Sequence, residues 1–161
     1  MIFLVALIII TLLFCAAIFF GAPYLPTLKP QIQEALDLLD LKPGQTMIEL
    51  GSGDGRVLRA AAEKGVQVVG YEINPFLVIV SYFVTLKYRK QVTIVWGNFW
   101  RRKLPKSDAV FVFLLTRYMS KLDQKMKSYS YKPIKVASVA FQIPDKKPTT
   151  ENNGVFLYVY K

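Results

Sequence analysis

The sequence predicts an α/β fold, a mostly parallel sheet flanked by helices, from three stretches. Met47 to Asn74 reads as a buried strand, a glycine-rich turn, a helix and a second strand that ends on an acid. Asp108 to Leu115, DAVFVFLL, is a nearly unbroken apolar run, which marks a central parallel strand buried on both faces. Gln31 to Leu41 places Ile32, Ala35, Leu36 and Leu39 on one face and turns Glu34, Asp37 and Asp40 away, the pattern of an amphipathic helix packed on such a sheet. The 161 residues suffice for one domain and little more.

From the amino terminus, Ile2 to Phe20 carries no charge, and Thr11 and Cys15 are its few polar side chains. As a helix it would be about 28 Å long, close to the hydrocarbon thickness of a bilayer. The expectation is a transmembrane anchor over residues 1–22 and a domain over 23–161. A cleaved signal peptide fits less well, because no basic residue follows Met1 and the run exceeds a usual signal core. Phe14 stands where a lipoprotein site at Cys15 would need a small residue, and a helix buried in the domain is a third alternative. The first charged side chain is Lys29, so the carboxyl side of the span is expected to be cytoplasmic. Gly21 to Pro30 holds three prolines and is a short stiff connector, so the domain should sit against the bilayer. Lys42 to Gln45 (KPGQ) then ends the amphipathic helix.

The central motif follows. Thr46 to Leu50 is a strand, Gly51, Ser52, Gly53, Asp54 and Gly55 form the turn, and Arg56 to Lys64 is a helix. Alternate glycines allow positive φ and open a shelf above the strand end, toward which the helix points free N–H groups. A dinucleotide fingerprint would place its third glycine where this chain has Arg56. Glu49 precedes the turn, and Glu72 closes the next strand, Gln67 to Tyr71, where a carboxylate can take both ribose hydroxyls of a nucleoside. Acid-x-G-x-G-x-G followed by an acid at the second strand end resembles the class I, seven-strand S-adenosylmethionine-dependent methyltransferases. The resemblance implies a Rossmann-like sheet and S-adenosyl-L-methionine as cofactor.

Asn74 and Pro75 start a helix, Phe76 to Tyr88, whose first three turns are apolar on nearly every face, with Lys87, Arg89 and Lys90 after those turns. The plain expectation is a helix buried between the sheet and its neighbours, and the alternative is one whose face and basic end touch a membrane surface. Gln91 to Trp96 is a strand. The resemblance implies that Asn98 meets the adenine amino group and Phe99 packs on the ring; the N-P-P-[YF] motif of amide and adenine methyltransferases is absent. Arg101, Arg102 and Lys103 are either a solvated loop or a contact for headgroups or substrate. After the apolar strand, Thr116 to Met119 should cross the mouth of the site. Lys121 to Ser128 reads as a basic helix, Lys135 to Gln142 as a strand, Asp145 to Gly154 as a turn region and Val155 to Tyr160 as the last strand. Six strands are counted where the resemblance implies seven, so the expected sheet is six- or seven-stranded.

Charge is uneven: residues 1–75 sum to −2 and residues 76–161 to +12. Nucleic acid, acidic protein and anionic phospholipid are all possible partners for the basic half. With no histidine and one cysteine, the chain lacks the means for His-based nucleophilic catalysis, a Cys/His metal cluster or an internal disulfide, and no metal is expected. The span, Tyr24 to Thr27 (YLPT), IELGSGDGR, GYEINP and the aromatic after Asn98 together resemble the membrane-anchored lysine methyltransferases of the ATP synthase c subunit and the adenine nucleotide translocator, with their bacterial relatives. That resemblance covers most of residues 20–142 and weakens after Leu115. It implies cofactor contacts from Tyr24, Thr27, Glu49, Gly51, Ser52, Gly53, Asp54, Gly55, Arg56, Glu72, Ile73, Asn74, Asn98 and Phe99, and substrate-side roles for Thr116, Arg117 and Tyr118. It further implies lysine methylation in a membrane-associated protein, with the domain on the cytoplasmic or mitochondrial matrix side where the cofactor is found. A lipid, quinone or other small amphipathic acceptor, or a cofactor-binding scaffold without turnover, are the alternatives. Nucleic-acid methylation suits the basic half but neither the anchor nor the missing amide motif.

Overall fold

A computed structural model describes residues 25–161, together with residues 1, 3–5 and 8. Most of the expected span at Ile2 to Phe20, and Tyr24, lie outside the described residues. Among the described residues no helix is long and apolar enough to cross a membrane.

The helix α1 (Lys29–Leu39) has Pro30 in its first turn, where a missing N–H costs nothing, and Asp40 in the left-handed region stops it. Then follow β1 (Thr46–Leu50), α2 (Arg56–Glu63), β2 (Gln67–Glu72), α3 (Pro75–Val84) and β3 (Val92–Trp96). After these come β4 (Ala109–Val112), α4 (Met119–Lys127), β5 (Ile134–Val139), β6 (Thr150–Asn152) and β7 (Val155–Tyr160). The sheet order is β3-β2-β1-β4-β5-β7-β6, with β7 antiparallel to both its neighbours and the other pairs parallel. From β1 the chain winds outward to β3, then returns to β4 on the other side. The strand order therefore reverses between β1 and β4, the place above whose carboxyl ends open α/β sheets hold their ligands.

Two apolar layers hold the sheet. Met47, Val68, Phe111, Ala137 and Leu157 face α1 and α2 and meet Leu36, Leu39, Leu58 and Ala61. Ile48, Leu50, Val110, Val136 and Tyr158 face the opposite way, onto Met119, Leu122 and Met126 of α4. This alternation is the two-residue period of a strand, and it assigns Glu49, between Ile48 and Leu50, to the α2 side.

The structure amends the sequence reading in three places. The seventh strand, β6, lies inside the stretch expected to be a turn; its three residues are polar and exposed and carry no apolar alternation. Asn153 and Gly154 both have positive φ and join β6 to β7, which is the Asn-Gly signal of a two-residue hairpin. The apolar run ends as a strand at Val112, so Phe113 to Leu115 leave the ladder and carry the chain toward the site. The largest correction concerns the helix after Glu72, which was expected to be buried. Regular helix stops at Val84, a 3-10 turn covers Leu86–Tyr88, and Ser81 is the one buried side chain of α3.

Candidate active site

Three carboxylates surround the turn that joins β1 to α2. Gly51, Gly53 and Gly55 all have positive φ, so the chain doubles back above the end of β1. The N–H groups of Gly51 and Ser52 both donate to the Tyr71 carbonyl at 2.9 Å and tie the turn to β2. A Cβ built on Gly51 meets no atom of the described residues within 4 Å, so these residues leave the shelf above it open. At Gly55 the reverse holds: a Cβ would stand 2.4 Å from Ser81 Oγ, and this glycine lets α2 and α3 touch.

Glu72 is buried at the end of β2, with both carboxylate oxygens held by backbone. Oε2 accepts from the Gly53 N–H and Oε1 from the Asn74 N–H, each at 2.8 Å. One carboxylate thus bridges the start of the α2 turn and the start of α3, and each oxygen keeps a lone pair for a hydroxyl. The Asn74 side chain caps α3, accepting from Phe76 N at 2.9 Å and Leu77 N at 3.4 Å. Ile73 stands at the rim, and its carbonyl accepts from the Trp96 indole at 3.1 Å.

Glu49 has a different environment. It is buried, and its Oε2 lacks a hydrogen-bond partner among the described residues. Burial raises its pKa well above the ordinary carboxylate range, and the negative charges of Asp54 and Glu72 add to the rise. An orphaned acceptor beside two more acids suits a ligand that brings positive charge. Ser52 Oγ is likewise buried without a partner among the described residues.

Asp54 grips the Arg56 guanidinium, with Nη2 at 2.8 Å from Oδ2 and Nε at 3.1 Å from each oxygen. Arg56 Nη1 also donates to the Thr27 carbonyl at 3.3 Å, which fixes the incoming chain against the turn. Arg56 links Thr27 to Asp54, and Glu72 links Gly53 to Asn74, around the same turn above Glu49. Tyr24 lies outside the described residues.

The end of β3 joins this group through the Gly97 N–H, which donates to the Glu72 carbonyl at 2.8 Å. Asn98 Oδ1 accepts from Trp100 N at 2.9 Å and starts the 3-10 turn Phe99–Arg101. Phe99 turns into the core. Trp100, absent from the residues singled out by sequence, is the aromatic left half-buried: its ring lies 4.5 Å from Phe99 and 6.1 Å from Tyr118. Trp100 stands beside the singled-out Phe99, but the sequence does not show which of the two rings is turned inward. Thr116 to Tyr118 form a 3-10 turn after β4, with Arg117 over the Tyr118 ring at 4.8 Å and Lys121 over Trp100 at 4.7 Å. Nearby, burial pushes the Lys125 ammonium pKa down and the Lys121 charge pushes it further. This second wall is cationic and aromatic, opposite in sign to the acidic shelf.

Comparison with known proteins agrees with this geometry. The family model described as the ANTKMT methyltransferase domain matches residues 49–150. A lysine N-methyltransferase of the ATP synthase c subunit, from Xenopus laevis, is 30% identical over 128 residues, 78% of this chain and 56% of that protein. A protein-lysine N-methyltransferase of Saccharolobus islandicus is 28% identical over 149 residues, 85% of this chain and 92% of that one. A crystal structure of an RNA methyltransferase from Salinibacter ruber in complex with S-adenosyl-L-homocysteine superimposes with a TM-score of 0.77 at 27% identity, over 84% of this chain and 93% of that one. The chain spans about half the length of the first of these curated relatives. The fold is the Rossmann-like fold of S-adenosylmethionine-dependent methyltransferases, with seven strands.

Proposed function

Because the chain belongs to the ANTKMT methyltransferase domain family, we propose that it is an S-adenosylmethionine-dependent methyltransferase acting on a lysine of a membrane-associated protein. The observation that carries the reading is the acidic shelf: open space above Gly51, a backbone-oriented Glu72, and a buried Glu49 oxygen without a partner among the described residues. Glu72 would take the ribose hydroxyls, Glu49 would face the positive charge of the methionyl part, and Asn98 and Ile73 would border the adenine. The cofactor supplies a methyl group already activated on a sulfonium. The chain's own task is to hold an amine behind that carbon, and positioning alone can lower a barrier by about 7–11 kcal/mol.

An acceptor lysine must first lose a proton, since its ordinary pKa is about 10.4. The cationic wall favours that loss: the same surroundings already push Lys125 down. Arg117 and Lys121 stand on that wall, with Thr116 and Tyr118 as the remaining acceptor-side residues. The membrane part of the reading rests on sequence, on the uncharged run before Lys29 and the proline-stiffened connector. On this reading a single-pass anchor occupies residues 1–22 and the domain lies on the cytoplasmic or matrix side.

A second reading, RNA methylation, is favoured by the +12 charge of residues 76–161 and by what the Salinibacter ruber protein is called. Labelled-methyl transfer into isolated membranes and into total RNA, followed by mass spectrometry, separates the two. Label on a protein lysine is the expected result. Label confined to RNA, or to lipid or quinone, overturns it, and cofactor binding without any product points to a scaffold.

A further inference from the structure

We propose that the outward face of α3, with the basic segment that follows it, is a contact surface for an anionic lipid bilayer. The proposal deepens the membrane part of the function proposed above. Phe83 is 67% exposed, Phe76 64%, Ile79 56%, Tyr82 54% and Leu86 44%. Phe76, Ile79 and Phe83 are spaced by three and four residues and share one side of the helix, with Tyr82 edge-on to Phe83 at 5.8 Å and Leu86 exposed in the 3-10 turn that follows. Soluble monomers rarely leave so many neighbouring large apolar side chains in water.

What covers this face is indicated by its surroundings. At the carboxyl end, Lys87, Arg89 and Lys90 are exposed, and among the described residues none of them has an ion-pair partner. Glu63, on which the Lys87 charge also acts, is engaged by Arg59 at 2.8 Å. Trp96, 63% exposed on the edge strand β3, adds an amphipathic ring of the kind that settles at headgroup level. An apolar stripe ending in a cluster of cations is the composition of a helix lying in a membrane interface.

The chain's course points the same way. No charged side chain precedes Lys29. That run joins the fold at Thr27, whose carbonyl is bound by Arg56, while the adjacent Gly55 lies against Ser81 of α3. The uncharged segment therefore enters the domain beside the helix, and Leu25 and Leu28 are exposed there as well. A second copy packed on this face would set two clusters of cations at one contact, which disfavours a dimer as the occupant.

The test uses the full chain with Cys15→Ser and Phe83→Cys, labelled at 83 with an environment-sensitive fluorophore. A parallel sample carries Cys15→Ser and Lys161→Cys, at the exposed carboxyl terminus. Both are reconstituted into phosphatidylcholine vesicles with and without phosphatidylserine, in which some acyl chains carry a spin label. Several-fold stronger quenching at 83 than at 161, larger with phosphatidylserine and reduced by Lys87→Gln, Arg89→Gln and Lys90→Gln, is expected. Equal quenching at the two sites overturns the proposal. A blue-shifted label at 83 that the lipids do not quench also overturns it, because protein then covers the face. No methyl transfer enters the readout, so a different acceptor would leave this result standing.

Discussion

Neighbouring helices α2 and α3 share one face of the sheet and touch at Gly55 and Ser81, yet they solve opposite problems. α2 buries Val57, Leu58, Ala61 and Ala62 and shows water Arg59 and Glu63, paired at 2.8 Å. α3 buries Ser81 alone, keeps Leu77, Val78, Val80 and Val84 half-buried, and turns Phe76, Ile79, Tyr82 and Phe83 outward. A helix whose apolar side faces the sheet contributes to folding. One whose apolar side faces away gains little from it, and its composition answers to something outside the domain.

The sharpest way to break the comparison is to truncate one apolar side chain in each helix. Leu58→Ala should cost about 2–5 kcal/mol, the range for a fully buried leucine. Phe83→Ala, although it removes more atoms, should stay within about 0.5 kcal/mol, as for other exposed sites. Thermal or denaturant unfolding in detergent measures both. A loss at Phe83 as large as that at Leu58 would mean that α3 is covered by the protein itself.

Glu72 joins the two helices at their beginnings, and its loss should act on both. Glu72→Ala removes the acceptor of the Gly53 and Asn74 N–H groups, and cofactor affinity should fall by at least about 1.5 kcal/mol, one charge-assisted hydrogen bond. Calorimetry with S-adenosylmethionine measures it. Unchanged affinity would show that Glu72 shapes the turn without touching the ribose.

These contrasts were unevenly legible in the sequence. The glycine turn, Glu72 and the apolar faces of α1 and α2 were readable because each is a local pattern: a spacing of glycines, an acid at a strand end, a helical period. The exposure of α3 was not, because helix-length apolar segments look alike whether sheet or solvent lies beside them. The sheet order, which leaves β3 on the edge, decides it. The choice between Phe99 and Trp100 as the inward ring was hidden for a similar reason, since it depends on how a 3-10 turn rotates two adjacent side chains. β6 escaped because its three residues are polar and exposed and carry no apolar alternation, although Asn153-Gly154 announced the hairpin.

The smallest expected effect concerns charge rather than packing, and it separates the inner side of α2 from its outer side. Glu49 lies under α2 with a pKa raised by burial, then by Asp54 and Glu72. A carboxyl whose folded pKa exceeds its unfolded one binds more protons when folded. Its stabilisation is therefore complete below the unfolded value, about 4.3, and declines as the pH climbs through the folded value. The cofactor-free protein should unfold at a lower temperature at pH 8 than at pH 5, and Glu49→Gln, which keeps the shape without the charge, should flatten that slope. Changing Glu63, which is exposed and paired with Arg59 on the outer side of α2, should leave the slope intact, because its pKa is lowered and its titration lies in a more acidic window. An identical slope in the wild-type and Glu49→Gln proteins would mean that Glu49 is charged and solvated in the absence of cofactor. The shelf would then be acidic from the start, rather than a site whose third charge develops when a cation binds.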